Sequence, residues 1–335
     1  MTDLAATDAT VQGAAAPGPE ELERYRVELT GYCYRMLGSA FEAQDAVQET
    51  LVRAWRSLDR FEGRATLRSW LYRIATNVCL DMVKGKQRRA RPMDLSPSST
   101  AESTLGPPLP EITWIQPIPD DRVLPADGDP ADLAVARETV RLAFVAALQH
   151  LPPRQRAVLI LREVLRWKAT EVADLLGSTV ASVNSALQRA RATLAAGAVT
   201  AASASPPMDS EQQALLARYV DAFERYDMDC LVSLLHEDAT LSMPPYGLWL
   251  RGHADIVGWF LGHGSVCRGS RLVPIAANGS AAFGQYHPPS GPDGGYEPWA
   301  LQVIELSAGR ITALNSFLDT ANLFPLFGLP LRLDG

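Results

Sequence analysis

The chain has 335 residues, 47% of them hydrophobic, and a formal net charge of −7 at pH 7. That length holds two or three domains, each able to bury a core, and no apolar run is long enough to span a membrane. Cys33, Cys79, Cys230 and Cys267 are scattered, with no C-x-x-C pair and no histidine at ligand spacing, which argues against a disulfide framework or a structural zinc and for a cytoplasmic protein with reduced thiols.

The charge is unevenly placed. Glu21 to Arg91 holds 14 Lys and Arg against 9 Asp and Glu, and Ala131 to Thr200 holds 9 against 5. Between them, 92–130 has a single arginine, Arg122, against seven acids, and 208–335 has 7 basic residues against 14 acidic. Two basic segments are separated by an acidic linker and followed by an acidic domain.

In chain order, residues 1–20 are Ala-rich with Pro17 and Pro19. They predict a disordered leader, since they lack the basic start and continuous apolar core of a signal peptide. Helical patterns follow at Glu20–Leu37 and Phe41–Leu58. In the second, Val47, Leu51 and Ala54/Trp55 form the apolar side, and Asp45, Gln48, Glu49 and Arg53 point outward. A third helix begins at Thr66 as N-cap and runs to about Lys84, with Leu67, Leu71, Ile74 and Val78 as its inner stripe. Arg68, Arg73, Asn77 and Lys84 lie elsewhere on it, and Trp70 and Tyr72 flank the stripe.

It runs out into KGKQRRAR, including Arg88, which reads as a phosphate-binding tail. Aromatics interleaved with arginines, preceded by DRFEGRAT with its Arg64, suit a surface for single-stranded DNA, on which unstacked bases rest on rings or guanidiniums. For Trp70 or Tyr72 alone, core packing is the competing reading.

The segment 92–130 is dense in Pro, Ser and Asp and cannot bury enough apolar surface to fold alone, although Trp114 and Ile115 make a short anchor that docks elsewhere. From Leu151 to Leu194 the pattern is a buried helix followed by two helices at a tight turn. Val172, Leu175 and Leu176 give the first an apolar face, Gly177 supplies a positive φ, and Ser178 or Thr179 caps the next helix. In that helix Val180, Val183, Leu187, Ala190 and Leu194 line one side. The other side presents Ser182, Asn184, Ser185, Gln188, Arg189 and Arg191, with no carboxylate. Such a helix-turn-helix is equipped for a major groove; an ordinary three-helix bundle with a solvated face is the alternative at this point.

FEAQDAVQETLVRAW, FEGRATLRSWLYRIATNVCLDMVK, LPPRQRAVLILREVL and the helix-turn-helix, in that order, resemble the extracytoplasmic-function (ECF) sigma factors of the sigma-70 family. The resemblance covers about residues 20–91 (region 2) and 131–196 (region 4). It implies an alternative sigma factor that binds core RNA polymerase and recognises −10 and −35 promoter elements, without being an enzyme and without a cofactor. Asp45, Gln48 and Glu49 would lie in the core-binding helix, a polar and partly acidic face suited to a basic partner. Arg60 to Thr66 would form the loop that captures a flipped −10 base, with Arg64, Arg68, Trp70, Arg73, Asn77, Lys84 and Arg88 on the −10 surface. Arg154 and Arg156 would precede the buried helix of region 4. Ser182, Asn184, Ser185, Gln188, Arg189 and Arg191 would face the −35 groove, arginines positioning on phosphate and amides and hydroxyls reading base edges.

Residues 208–335 begin with an amphipathic helix, Met208 to Asp227. A helix starting at Cys230–Leu235 and ending in HEDATLSMPPYGLWLRG follows, then a helix at Ala254–Leu261 and strand-like runs RLVPIAANG, SAAFGQYH, PWALQVIEL and GRITALNSFLD. This order resembles the cone-shaped α+β SnoaL-like (NTF2-like) fold. The whole is thus expected to be two all-α domains plus an α+β cone, divided 1–20, 21–91, 92–130, 131–200 and 208–335.

Two readings of the last domain stay open. In one it folds back on the sigma regions as a built-in regulator, with room for a small-molecule ligand. In the other His236, Asp238, His253 or Asp319 acts as general base in the cone, making a bifunctional isomerase or cyclase. His236, Asp238 and Asp319 are the candidate pocket residues. HPPSGPDGGYEPW predicts a long hairpin loop turning at Asp293–Gly295, and ANLFPLFGLPLRL is either core or a staple onto the sigma regions.

Overall fold

The computed structural model describes residues 18–61, 63, 65–196, 209–288 and 294–334. Most of the predicted leader, Arg64 and residues 289–293 of the predicted hairpin loop lie outside them.

The amino-terminal domain is α1 (Pro19–Glu23), α2 (Arg26–Leu37), α3 (Ala40–Arg56) and α4 (Leu67–Val83). Thr66 caps α4 by accepting the Ser69 amide at 3.1 Å, as its position predicts. Val47, Leu51 and Ala54 are buried, whereas Trp55 is 62% exposed. The expectation that Trp55 joins the apolar side is corrected: the narrower inner stripe of α3 already ends at Ala54. Tyr72 is fully buried against Tyr32, at 5.1 Å between ring centroids, so core packing is its role.

The linker is laid down as two 3-10 turns (Pro92–Asp94 and Glu111–Thr113), the short helix α5 (Asp120–Val123) and irregular chain between them. Trp114, Ile115 and Ile118 are buried, and Gln116 donates its amide to Gly38 O at 3.0 Å. The expected anchor therefore docks on the amino-terminal domain. Farther back, the linker runs along the C-terminal domain: the Ser99 amide bonds Trp249 O at 2.8 Å and the Ala101 amide bonds Asp255 at 3.1 Å.

The second helical domain comprises α6 (Pro130–Glu138), α7 (Leu142–Gln149), α8 (Pro153–Leu159), α9 (Ala169–Leu176) and α10 (Val180–Ala196), with one π-helical turn at Ile160–Val164. Gly177 closes α9 at φ 58°, ψ 44°, the left-handed geometry for which glycine is best suited. Thr179, the second of the two predicted caps, accepts the Ser182 amide at 3.1 Å. Val183, Leu187 and Ala190 are buried, but Val180, expected inside, is 39% exposed because it opens the helix beyond the edge of the core.

The C-terminal domain is α11 (Ser210–Glu224), α12 (Met228–Leu234), α13 (His253–Leu261) and α14 (Thr320–Leu326) on one six-stranded sheet. The strands are β1 (Leu235–Ser242), β2 (Trp249–Arg251), β3 (Arg271–Ala277), β4 (Ser280–His287), β5 (Glu297–Ser307) and β6 (Arg310–Phe317), in the order β2-β1-β6-β5-β4-β3. Only β1 and β6 run parallel. The last four strands match the predicted runs. HEDATLS is a strand and not the end of a helix, because pairing with Ile311–Asn315 overrides its weak local pattern.

On one sheet face Phe283 and Ile304 pack with α11 and α13. On the other, the C-terminal segment folds over its own sheet: Leu323, Phe324 and Leu329 are buried, and Tyr286 donates to Pro330 O at 2.8 Å. This segment is core. A single apolar cluster joins the helices of both amino-proximal domains to that outer face.

Candidate nucleic-acid interface

The two helical domains do not stand apart. Arg73 on α4 donates to Asp174 O on α9 at 3.0 Å, and the Tyr72 ring lies 5.1 Å from Trp167, which precedes α9. Arg68 bonds Glu28 at 3.1 Å and its guanidinium lies 5.4 Å from the Tyr72 ring and 5.5 Å from that of Trp167. Arg156 is buried and reaches across to Met36 O of α2, so it stitches the domains and is unavailable to a phosphate. Desolvation pushes Arg156 and Arg35 down to about 10, and Arg35 bonds Thr139 Oγ1 at 2.8 Å. Arg154 is exposed.

Of the expected −10 residues, Asn77, Lys84 and Arg88 are exposed. Trp70 is half-buried, its ring 5.1 Å from Phe61, while Arg68 and Arg73 face the second helical domain as described. Much of the expected basic tail is engaged within the chain. Lys86 pairs with Glu42 at 2.7 Å, Arg89 is buried on Glu111 O, Trp114 O and Glu42, and Arg88 meets His150 Nδ1 at 2.6 Å. Arg89 fastens the linker and Arg88 meets the end of α7, while Glu42, far away in sequence, neutralises Lys86 and Arg89.

Ser182, Asn184, Ser185, Gln188 and Arg189 form one exposed face of α10, directed away from α8 and α9. Arg191 is also exposed but ion-paired to Glu163. On α3, Asp45, Gln48 and Glu49 are exposed, with Glu49 bonded to Arg53 at 2.6 Å. Sequence periodicity missed their neighbour Trp55; its signal is an apolar ring one residue beyond the last buried position.

The C-terminal domain reaches both helical domains through the turn between β3 and β4. Asn278 sits at φ 55° and is fully buried. Its side-chain amide donates to Tyr34 Oη of α2 at 2.6 Å and to Val140 O before α7 at 2.7 Å, and its oxygen accepts the Ile118 amide of the linker at 3.0 Å. The Gly279 amide donates to Asp120 at 2.7 Å. A Cβ on Gly279, at φ 64°, would lie 2.6 Å from Arg137 O. Asn-Gly between two strands is a strong hairpin signal, so the turn was readable, though its partners were not.

The cone retains a cavity of about 80 Å³, capped by Leu105 of the linker. Along it runs a hydrogen-bonded chain: Tyr219 to Gln302 at 2.7 Å, Gln302 to Gln285 at 2.8 Å, and Gln285 to Ser270 at 3.1 Å. Its lining has no carboxylate; His263 stands exposed at the rim on Trp259, and burial raises the Cys267 thiol. The expected pocket residues are elsewhere. Asp238 pairs with Arg251 at 3.0 Å on the surface, His236 offers its carbonyl to His253 at 3.0 Å, and Asp319 holds Asn322 at 3.0 Å at the start of α14. His236 and Asp238 lie on the solvated stretch of β1, whose cone-side residues near this cavity begin at Leu241. Among the described residues no cluster could hold a metal ion and no helix is long and apolar enough to cross a membrane.

Residues 22–89 match the family described as Sigma-70 region 2, 141–194 match Sigma-70, region 4, and 216–314 match the SnoaL-like domain. ECF RNA polymerase sigma factor SigG of Mycobacterium tuberculosis is 47% identical over 313 residues, covering 92% of this chain and 82% of that one. SigJ of the same species is 28% identical over 325 residues, covering 93% and 94%. The crystal structure of M. tuberculosis SigJ superposes with a TM-score of 0.58 at 24% identity, over 93% of this chain and 99% of that one, a likeness of fold.

Proposed function

The chain belongs to the ECF RNA polymerase sigma factors, and from that premise we propose an alternative sigma factor whose own C-terminal domain holds it closed. It binds core RNA polymerase in the cytoplasm and directs initiation at promoters with −10 and −35 elements. The core-binding face is Asp45, Gln48 and Glu49, extended by Trp55. Arg64, Arg68, Trp70, Arg73, Asn77, Lys84 and Arg88 serve the −10 element. Ser182, Asn184, Ser185, Gln188, Arg189 and Arg191 serve the −35 element.

One observation carries the closed-state reading: α4 and α9 touch, through Arg73 and Asp174 at 3.0 Å. The two promoter elements are separated by about 25 base pairs, roughly 85 Å at ~3.4 Å per step. Domains in contact cannot occupy both on a straight duplex, and Arg68 and Arg73 are turned from DNA toward the second domain. Asn278 closes the arrangement by bonding the first domain, the linker and the entry to α7 at once.

In this reading the last domain regulates and does not catalyse. What supports a regulator over an isomerase or cyclase is the cone lining of glutamines, serine and a raised thiol, without a carboxylate to accept a proton and with its one histidine, His263, out at the exposed rim.

The test is run-off transcription with core polymerase, comparing the full chain with Asn278→Gly, which tolerates the positive φ and loses only the side chain. The variant is expected to yield several-fold more transcript when the factor is limiting. Equal or lower yield from a folded variant would contradict built-in inhibition.

A further inference from the structure

A second cavity, of about 540 Å³, lies where the α6–α7 corner meets α11 and the β3–β4 hairpin, next to the Asn278 turn and separate from the cone. Its wall is an apolar trough of Leu216 and Val220 from α11 and Ile275, Ile304 and Leu306 from the sheet. Its rim holds Asp120, Arg137, Glu138 and Arg141.

Three of these four charges are engaged. Arg141 pairs with Glu138 at 3.2 Å, and Asp120 accepts the Gly279 amide at 2.7 Å. The half-buried Arg137 guanidinium donates no hydrogen bond among the described residues, and the nearby Asp120 carboxylate acts on it only through space. A trough of ligand size beside a cation that donates no hydrogen bond fits a ligand with one anionic end and an apolar body. A polyphosphate would need more cations than this rim offers.

We propose that the cavity binds an amphipathic monocarboxylic acid, its carboxylate on Arg137 and its chain or ring along α11 and the sheet, and that the ligand holds the chain closed. Arg137 travels with the second helical domain and the trough with the C-terminal domain, so opening takes the site apart. A ligand of the assembled site binds the closed form better and shifts the population toward it. The effect on transcription rests on the reading of the closed form as inactive; the binding does not.

The probe is decanoate, titrated by calorimetry into the full chain, with decanol as the uncharged counterpart. The expected result is saturable one-to-one binding of decanoate. Decanol and Arg137→Gln should each weaken it at least tenfold, and Ala217→Trp, which fills the trough, should abolish it with the melting temperature kept. Absence of saturable decanoate binding, or equal affinity in Arg137→Gln, would overturn the site. In run-off transcription decanoate should lower the yield of the unmodified chain several-fold and leave Arg137→Gln unaffected. Binding without that loss would overturn the regulatory half, while failure of Asn278→Gly to gain activity without ligand would locate the error in the closed-state reading instead.

Discussion

The amide nitrogen of Asn278 lies 2.6 Å from the phenolic oxygen of Tyr34, which donates in turn to Gln116 O at 2.8 Å. A hairpin tip of the last domain, a helix of the first and the linker between the two DNA-binding domains thus share one buried chain of hydrogen bonds. Every donor in it is committed, and a buried group left without its partner costs about 1–3 kcal/mol. Removing the Asn278 side chain leaves the Ile118 amide and the Val140 carbonyl without that partner, so Asn278→Gly should shift opening by about one to two powers of ten. Limited proteolysis of the 92–130 linker will read this as faster cleavage with an unchanged α+β domain.

Gly279→Ala tests the same contact by shape. The added Cβ would lie 2.6 Å from the Arg137 carbonyl, a backbone atom that cannot yield cheaply, and φ 64° is strained for alanine. It is expected to open the chain and raise transcription as Asn278→Gly does.

Trp55 is 62% exposed beside Asp45, Gln48 and Glu49. An exposed indole flanked by polar groups is typical of a binding anchor. Trp55→Ala should weaken the affinity for core polymerase by at least tenfold and alter the melting temperature by no more than a few degrees. Unchanged affinity would remove it from the interface.

The proposed −35 face divides by chemistry. Gln188→Ala should relax base preference at one promoter position, because an amide reads base edges. Arg189→Ala should weaken binding evenly across sequences and reduce the salt dependence by about one counterion. Binding to a panel of −35 variants at two salt concentrations separates these outcomes.

His150 gives the helical domains a pH dependence. Burial, then the Arg88 guanidinium at 2.6 Å, holds its imidazole below the ordinary value of 6.5. The folded state therefore binds the proton less readily than the unfolded one, and stability is complete above pH 6.5 and declines as the pH falls through the lowered folded value. His150→Gln should flatten the melting temperature across that window, a change that parallel thermal melts of the two proteins will reveal.

Local signals made much of this legible. Gly177 and the spacing of Val183, Leu187 and Ala190 located the helix-turn-helix, and the runs of β3 to β6 located most of the sheet. β2, with three residues, and β1, polar at its start, have too little pattern to stand out, and both depend on pairing partners distant in the chain. The same holds for the site. The α10 face was visible from its polar residues, whereas the burial of Arg89 follows from Glu42 and two linker carbonyls. Asn278 reaches Tyr34 across 244 positions, a relationship that no local pattern records.

The most direct measurement is the distance between the two DNA-binding domains, read by spin labels on Asp81→Cys and Ala192→Cys, both at exposed positions. A single short distance is expected in the free chain, with a second, longer population in Asn278→Gly. With core polymerase and promoter DNA it should lengthen toward the roughly 85 Å that separates the two elements. The same short distance in the promoter complex as in the free chain would contradict a closed state that must open to work.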